Sequence, residues 1–113
     1  MKKIECIIQP YNLDEVAQVL AVEGVRGMTV IECKGFGVQR GFTRGEDVQP
    51  GMYRFHPKMK VEMVVVEDDV ERVVEQVRKS LKMHEIGEGK IFISSVDDAI
   101  RTRTGERGRD AIR

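Results

Sequence analysis

The sequence has 113 residues and a mass of 12.9 kDa; hydrophobic residues make up 41% of it and charged residues 34%. This length and composition fit one globular domain and exclude a disordered chain, a collagen and a disulfide-stapled miniprotein. Nineteen Lys and Arg balance nineteen Asp and Glu, which disfavours a protein that coats nucleic acids through excess positive charge.

The compartment is expected to be the cytoplasm. No apolar run reaches the roughly 20 residues that a membrane helix requires, and the N-terminus lacks the apolar core of a signal peptide. Cys6 and Cys33 lie in β-like runs without a CxxC motif. We therefore expect two buried thiols in a reducing environment, with neither a metal site nor direct membrane insertion.

The first part of the chain predicts a strand, a helix and a second strand. Residues 2–8 form an apolar-rich run typical of a strand. Asn12 and Glu15 have the spacing of a capping box, and apolar residues then recur at helical intervals until Gly24. The alternating, β-branched run 28–33 predicts the second strand.

The same order recurs in the second part. Residues 61–66 predict a third strand, Asp68 with Glu71 predicts the cap of a second helix, and residues 90–94 predict a fourth strand. Two such units predict an α+β fold, the ferredoxin-like βαββαβ sandwich. Right-handed crossovers would place both helices on one sheet face, so we expect other subunits to cover the open face.

Two segments outside this predicted core are basic. Residues 38–60 carry five Lys and Arg against two Asp and Glu, and residues 101–113 carry the same numbers, so each segment has a net charge of +3. The loop 35–57 exceeds the roughly 12–15 residues beyond which structureless loops become uncommon and are often functional. Both segments favour an anionic ligand.

Glycine turns and paired arginines could bind phosphate. The run 35–37 follows the second strand, and 87–90 precedes the fourth, so successive backbone amides could form anion nests beside Lys90. Arg101 and Arg103 would project to one side of an extended chain, which suits a polyphosphate. Ordinary turns, a helix cap and a charged edge strand are the alternatives.

The sequence lacks the residue pattern of an enzyme. His56 and His84 have no Ser or Cys nucleophile beside them, and we expect both to be surface residues. Neither a nucleophile–base pair nor a cluster of metal ligands is evident, so a binding protein is favoured over a catalyst.

Several motifs, in the right order, resemble the signal-transducing PII proteins, the nitrogen and carbon sensors of bacteria, archaea and chloroplasts. The resemblance runs from end to end and implies a single domain, 1–113. The segments that carry it are 1–5, 25–30, 34–41, 57–62, 85–92 and 101–106. In the family's terms, 35–57 is the T-loop, 82–90 the B-loop and 101–113 the C-terminal segment.

The resemblance implies a homotrimer that binds ATP or ADP between subunits, with Mg²⁺ and 2-oxoglutarate as further effectors. It implies that Arg101 and Arg103 reach the nucleotide from the neighbouring subunit, and that the other contacts come from one subunit. The implied nucleotide contacts are Thr29, Gly35, Gly37, Val38, Gln39, Val64, Gly87, Glu88, Gly89, Lys90, Arg101 and Arg103. The implied 2-oxoglutarate contacts are Gln39, Arg40, Gly41, Lys58 and Gly87, and Gln39 would also complete the Mg²⁺ shell.

The loop departs from the family pattern. Gly51 stands where many bacterial members carry a modified tyrosine, and Gln49 where cyanobacterial members carry a phosphorylated serine. Asp47 replaces an arginine at the loop tip, and Val38 replaces an arginine that often contacts phosphate. No modification site is therefore expected. The T-loop partner would be an ammonium channel or a nitrogen-metabolism enzyme.

Three alternatives stay open. One is a PII paralogue that senses energy charge or another small anion without 2-oxoglutarate. Another is a ferredoxin-like RNA-binding module, but the central strands lack the aromatic residues that such modules use to stack bases. An acylphosphatase-like enzyme is supported by the fold alone.

Overall fold

The chain folds around one four-stranded antiparallel sheet. The computed structural model describes residues 1–36, 49, 51–81 and 89–113. The strands are β1 (Lys2–Ile8), β2 (Thr29–Gly35), β3 (His56–Val65) and β4 (Lys90–Ser95), in the spatial order β2-β3-β1-β4. The helices among the described residues are α1 (Leu13–Val22), α2 (Val70–Leu81) and the single turn α3 (Arg109–Ile112). The predicted α+β, ferredoxin-like fold is confirmed.

The hydrophobic core lies between one face of the sheet and the helices α1 and α2. Successive residues of a strand point to opposite faces, so alternate residues of β1 and β3 are buried. The helices contribute residues at the predicted helical spacing. The fully buried larger side chains are Ile4, Cys6, Ile8, Val16, Leu20, Val61, Val73 and Val77. Each Val, Leu or Ile buried in this way contributes about 1.5–3 kcal/mol.

Helix α1 ends in a glycine-dependent cap. The Val25 amide donates to the Leu20 carbonyl at 3.0 Å, and the Gly24 amide donates to the Ala21 carbonyl at 3.1 Å. This pair of hydrogen bonds is a Schellman motif, which requires a left-handed residue after the helix. Gly24 meets that requirement with φ of 81°, and Val25 then packs against the core. The predicted role of Gly24 as a terminator is confirmed.

The predicted helix starts are wrong in detail. A 3₁₀ turn, Pro10–Asn12, precedes α1, and Asn12 has near-helical backbone angles without a side-chain capping hydrogen bond. A second 3₁₀ turn, Glu67–Asp69, contains Asp68, so Asp69 is the residue that precedes α2. In both places a tight turn continues directly into the helix, and the residue expected to cap is already part of the turn.

Strands β2 and β3 extend beyond the rest of the sheet. Strand β1 pairs with β3 only from Met59 onward, whereas β2 pairs with β3 from His56 onward. Residues 33–35 and 56–58 therefore form a two-stranded ribbon, here called the stem. Pro57 is tolerated in the stem because no third strand pairs with β3 at that point. The connection between the two strands is 36–55, shorter at both ends than the predicted loop.

The two cysteines differ in environment. Cys6 is fully buried, and burial raises the pKa of its thiol to about 11. Cys33 is only half-buried in the stem, where its Sγ donates to the Lys58 carbonyl at 3.6 Å. The expectation of two buried thiols is therefore wrong for Cys33, because β2 is an edge strand. Among the described helices, none combines the length and the apolar character needed to cross a bilayer.

Candidate ligand-binding site

The sheet face opposite the helices, here called the open face, carries a charged centre. Lys3 Nζ lies 3.0 Å from Glu5 Oε1 and 3.5 Å from Glu62 Oε1. The hydrogen bond between Lys3 and Glu5 raises the pKa of Lys3 and lowers that of Glu5. Around this centre Ile31 and Phe92 are exposed, at 41% and 52%. An unpartnered face with exposed apolar side chains is typical of a surface that other subunits cover.

Four of the predicted contact residues share this face. The core residues of β3 are the odd-numbered ones from Val61 onward, so Lys58 and Val64 point to the open face. The side chains of directly paired residues on neighbouring strands point to the same face. Thr29 pairs with Glu62 and Lys90 pairs with Ile7, so both also point to the open face.

The same residues divide between opposite ends of the sheet. Thr29 and Gly35 are six positions apart on β2, as are Lys58 and Val64 on β3, which corresponds to about 20 Å along an extended strand. Lys90 lies midway between these ends, because its partner Ile7 also pairs with Lys60, which is level with Ile31 on β2. We call the side of Gly35 and Lys58 the stem end, and the side of Thr29 and Val64 the C-terminal end.

The C-terminal segment begins at the same end of the sheet as Thr29 and Val64. The Val96 amide donates to the Met1 carbonyl at 3.1 Å, so the chain leaves β4 at that end. The expectation that Thr29 and Val64 contribute to a ligand from the same subunit as Lys90 stays a prediction. The separation of about 20 Å between Gly35 and Thr29 is longer than one phosphate-binding cradle.

Gly89 is placed where no larger residue fits. A Cβ added to it would overlap the carbonyl oxygen of Ile7 and would lie 2.7 Å from the Ile7 carbonyl carbon. The sequence predicted a glycine turn at this position. The structure shows why a glycine is required there: β1 approaches the backbone too closely for any side chain. Gly89 immediately precedes Lys90, so this approach sets where the Lys90 side chain leaves the sheet.

Residues 101–104 form a turn, and the extended conformation expected for Arg101 and Arg103 is wrong. The Arg101 amide donates to the Glu106 carbonyl at 2.9 Å, and the Gly105 amide donates to the Arg101 carbonyl at 2.7 Å. Gly105 has φ of 76°, which closes the turn at low conformational cost. The two arginines consequently do not share one side of a strand.

The two arginines also differ in their partners. Arg101 Nη1 donates to Glu106 Oε1 at 3.0 Å, and Arg101 Nη2 donates to the Arg113 carbonyl at 2.7 Å. Arg103 is exposed and has no ion pair within the described residues. Because a guanidinium has five N–H donors, Arg101 still keeps donors for a ligand while its orientation is fixed by the C-terminal segment.

A carboxylate that the sequence did not single out organises this segment. Asp98 Oδ2 accepts from Arg107 Nε at 2.9 Å, and Asp98 Oδ1 accepts from the amides of Ala99 and Gly108 at 2.8 and 3.2 Å. The hydrogen bond from Arg107 is the largest cause of the lowered pKa of Asp98, and the Ala99 amide adds to it. No motif marked Asp98, because its partners are brought together only by the turn.

An aromatic cluster lies where the stem ends. The Phe36 ring centroid is 5.0 Å from those of Tyr53 and Phe55, and all three side chains are exposed by 42–56%. Nearby, Gly51 has φ of 81°, a conformation that a tyrosine would adopt only with strain. The alternation of Tyr53 and Phe55 is the available sequence signal for this cluster, which was not predicted.

The remaining predicted contacts lie outside the described residues: Gly37, Val38, Gln39, Arg40, Gly41, Gly87 and Glu88, together with His84. Of the described contacts, Lys58 takes part in no ion pair that joins two described residues, and its Cγ would lie 3.7 Å from a Cβ at Gly35. His56 is exposed, as expected. Within the described ranges, no three His, Cys, Asp or Glu side chains could jointly hold a metal ion.

Comparison with known proteins identifies the family. The fold by itself defines an α+β, ferredoxin-like domain. The chain matches the family model "Nitrogen regulatory protein P-II" over residues 1–106. The chain belongs to the P-II nitrogen regulatory protein family.

Relatives with that name align over nearly the whole chain. The proteins of Cereibacter sphaeroides and Rhodospirillum rubrum are 49% and 47% identical to it over 112 residues, covering 99% of this chain and 100% of theirs. The protein of Bradyrhizobium diazoefficiens is 47% identical with the same coverage. Members of this family are regulators rather than enzymes and assemble as trimers, which is consistent with the open face described above.

Proposed function

We propose that this chain is a homotrimeric signal-transduction protein that senses ATP or ADP together with 2-oxoglutarate. It would regulate nitrogen-metabolism targets through the segment 35–57. The observation that carries the proposal is the separation of the candidate contacts into a stem end and a C-terminal end, about 20 Å apart. Neither end alone surrounds a ligand, so the nucleotide site would form where the stem end of one subunit meets the C-terminal end of the next.

The charges at the two ends suit a nucleotide. Lys58 at the stem end and Lys90 midway along the sheet supply point charges. Arg101 and Arg103 at the C-terminal end supply guanidinium groups that can bind phosphate oxygens in pairs. The described residues supply cations rather than metal ligands. A Mg²⁺ ion would therefore be held by the nucleotide phosphates, by 2-oxoglutarate and by Gln39, and it would neutralise phosphate charge.

The direct test is calorimetric titration of the purified protein. Mg-ATP or ADP is titrated first, and 2-oxoglutarate is then titrated into the empty and the Mg-ATP-loaded forms. The proposal expects 2-oxoglutarate to bind only when Mg-ATP is present. Failure of both nucleotides to bind would overturn the proposal, and size-exclusion chromatography with light scattering would test the trimer independently.

The proposed metal bridge has its own test. The variant Gln39→Ala should keep most of the nucleotide affinity and lose 2-oxoglutarate binding, because Gln39 links the metal to both ligands in this proposal. A matched control is Gln18→Ala on the exposed side of α1, which should change neither affinity. Unchanged 2-oxoglutarate affinity in Gln39→Ala would refute the bridge while leaving the nucleotide site intact.

A second function is favoured by one residue. Val38 stands where many family members carry a phosphate-contacting arginine, so the chain could be a paralogue that responds to energy charge or another small anion without 2-oxoglutarate. The same titration separates the two, since this paralogue would bind ATP or ADP and would ignore 2-oxoglutarate with or without Mg-ATP. Val38→Arg should then increase affinity for ATP.

Two other classes receive less support. Base stacking by an RNA-binding sheet needs aromatic residues on the central strands. Strands β1 and β3 contain no Phe, Tyr or Trp, and their one histidine, His56, lies in the stem. Acylphosphatase activity has only the fold in its favour, and a phosphate-release assay would detect it.

The target protein would bind the segment 35–57, whose stem places it beside the stem end of the site. Switching between ATP with 2-oxoglutarate and ADP need change the target's affinity by only about 1–3 kcal/mol to act as a signal. Affinity capture with and without these ligands would separate an ammonium channel from a soluble nitrogen-metabolism enzyme.

A further inference from the structure

A cavity of ≈ 350 Å³ lies between the elements that meet at the C-terminal end. The turn after α1, the last residues of β3, the start of α2 and the helical turn α3 line it. Its apolar wall comes from Val25, Val65, Val73 and Ile112, and its charged rim includes Arg26, Arg72, Arg109 and Arg113. Of the candidate contacts described above, only Val64 also lines the cavity.

The positive charge of this rim is only partly neutralised. Two carboxylates, Glu23 and Asp69, line the cavity, and both pair with Arg72. Arg72 contacts Glu23, and its Nη2 lies 3.3 Å from Asp69 Oδ1. Arg113 Nη1 lies 3.6 Å from Asp110 Oδ1.

Arg26 and Arg109 have no such partner. Neither takes part in an ion pair or a side-chain hydrogen bond among the described residues. Two guanidinium charges on the rim of one cavity therefore lack a counter-charge from the part of the chain that the structure describes.

We infer that this cavity binds a small organic molecule carrying a phosphate group. Two uncompensated guanidinium groups match the charge of a phosphate monoester, and each can donate two N–H bonds to its oxygens. The apolar wall suits the organic part of such a molecule. The volume is at the lower end of the about 300–1,000 Å³ usual for small-molecule sites, which favours a ligand smaller than a dinucleotide.

This inference does not rest on the proposed nucleotide site, although Val64 is a candidate contact of both. The candidate phosphate contacts there are Lys58, Lys90, Arg101 and Arg103, and none of them lines the cavity. A protein that failed to bind ATP could still bind a phosphate ester here, and the reverse also holds.

The test is a two-dimensional NMR titration of the full-length, isotope-labelled protein with phenyl phosphate, run first without and then with saturating Mg-ATP. Inorganic phosphate and benzoate serve as comparison probes for the charge and for the ring. We expect saturable shifts of the amides of Gly24, Val66 and Ile112, with weaker binding of inorganic phosphate and of benzoate.

Two variants and a matched control make the test specific. Arg26→Gln and Arg109→Gln should each weaken phenyl phosphate binding by at least about ten-fold, the effect of losing one charge-assisted interaction. Arg78→Gln removes an equally exposed arginine from α2, away from the cavity, and should leave binding unchanged. A thermal melt of each variant verifies that it folds.

Three results would overturn the inference. These are an absence of saturable shifts, equal loss of affinity in Arg78→Gln, and complete suppression of the shifts by Mg-ATP. The last would assign the cavity to the nucleotide site. Stronger binding of benzoate than of phenyl phosphate would also contradict a phosphate ligand.

Discussion

Replacing Gly89 by alanine tests how the sheet positions Lys90. The added methyl would overlap the Ile7 carbonyl oxygen and would lie 3.4 Å from Ile8 Cα. Backbone atoms cannot rotate away as a side chain can, so the start of β4 must separate from β1. Overpacking of this kind costs about 1–3 kcal/mol, and a lost ladder hydrogen bond adds about 1 kcal/mol. We therefore expect Gly89→Ala to lower the free energy of unfolding by about 2–4 kcal/mol.

The assay is urea unfolding followed by far-ultraviolet circular dichroism at one protomer concentration, since assembly makes stability concentration-dependent. Gly27→Ala is the matched control, because a Cβ there meets nothing within 4 Å and its φ is outside the left-handed region. It should change stability by less than about 1 kcal/mol. The Mg-ATP affinity of Gly89→Ala should fall as well. A variant as stable as the parent would show that β1 and Gly89 do not approach this closely.

Three further predictions concern other parts of the fold. Gly24→Ala should cost about 1–2 kcal/mol, because φ is 81° with open space around it; Gly24→Asn should recover part of the loss, and an unchanged urea midpoint would refute the cap. Cys33→Ser, which leaves only Cys6, should not react with Ellman's reagent at pH 8 until denaturant is added, since the Cys6 pKa is about 11; rapid labelling would contradict its burial. Because the pKa of Asp98 is lowered from 3.8 by Arg107, its stabilising effect is present above pH 3.8 and is lost as pH falls through the folded-state pKa. Thermal melts from pH 7 to pH 2 should therefore fall more steeply for the parent than for Asp98→Asn, and parallel curves would contradict this.

The regular elements were predictable because their signals are local. The alternation of Ile4, Cys6 and Ile8 identifies a strand, and the spacing of Val70, Val73 and Val77 identifies a helix, from the chain alone. The helix starts were less predictable, since Asn12 and Asp68 can begin a 3₁₀ turn as easily as they can cap a helix. Capping residues mark a region of the chain rather than one position in it.

The candidate site was only partly predictable. The glycine and arginine motifs identify residues that suit phosphate, but the division between two ends follows from strand register, which no local pattern specifies. The turn at Arg101 depends on Glu106 and Gly105 acting together. The cavity beside Arg26 and Arg109 joins residues more than eighty positions apart, so it could not be found before the fold was known.

The stem has a mechanical consequence. In the stem, residues 33–35 and 56–58 pair only with each other. In the pairs beyond them, β3 is also hydrogen-bonded to β1 and lies against the buried core. Ribbons of two strands are marginally stable alone, so the stem can open by local unfolding at a small fraction of the global free energy. Amide hydrogen exchange should therefore be faster at Lys34 and His56 than at Val61. A target could bend or re-pair the stem without disturbing the core, which would make the stem a compliant joint between the sheet and the segment it carries.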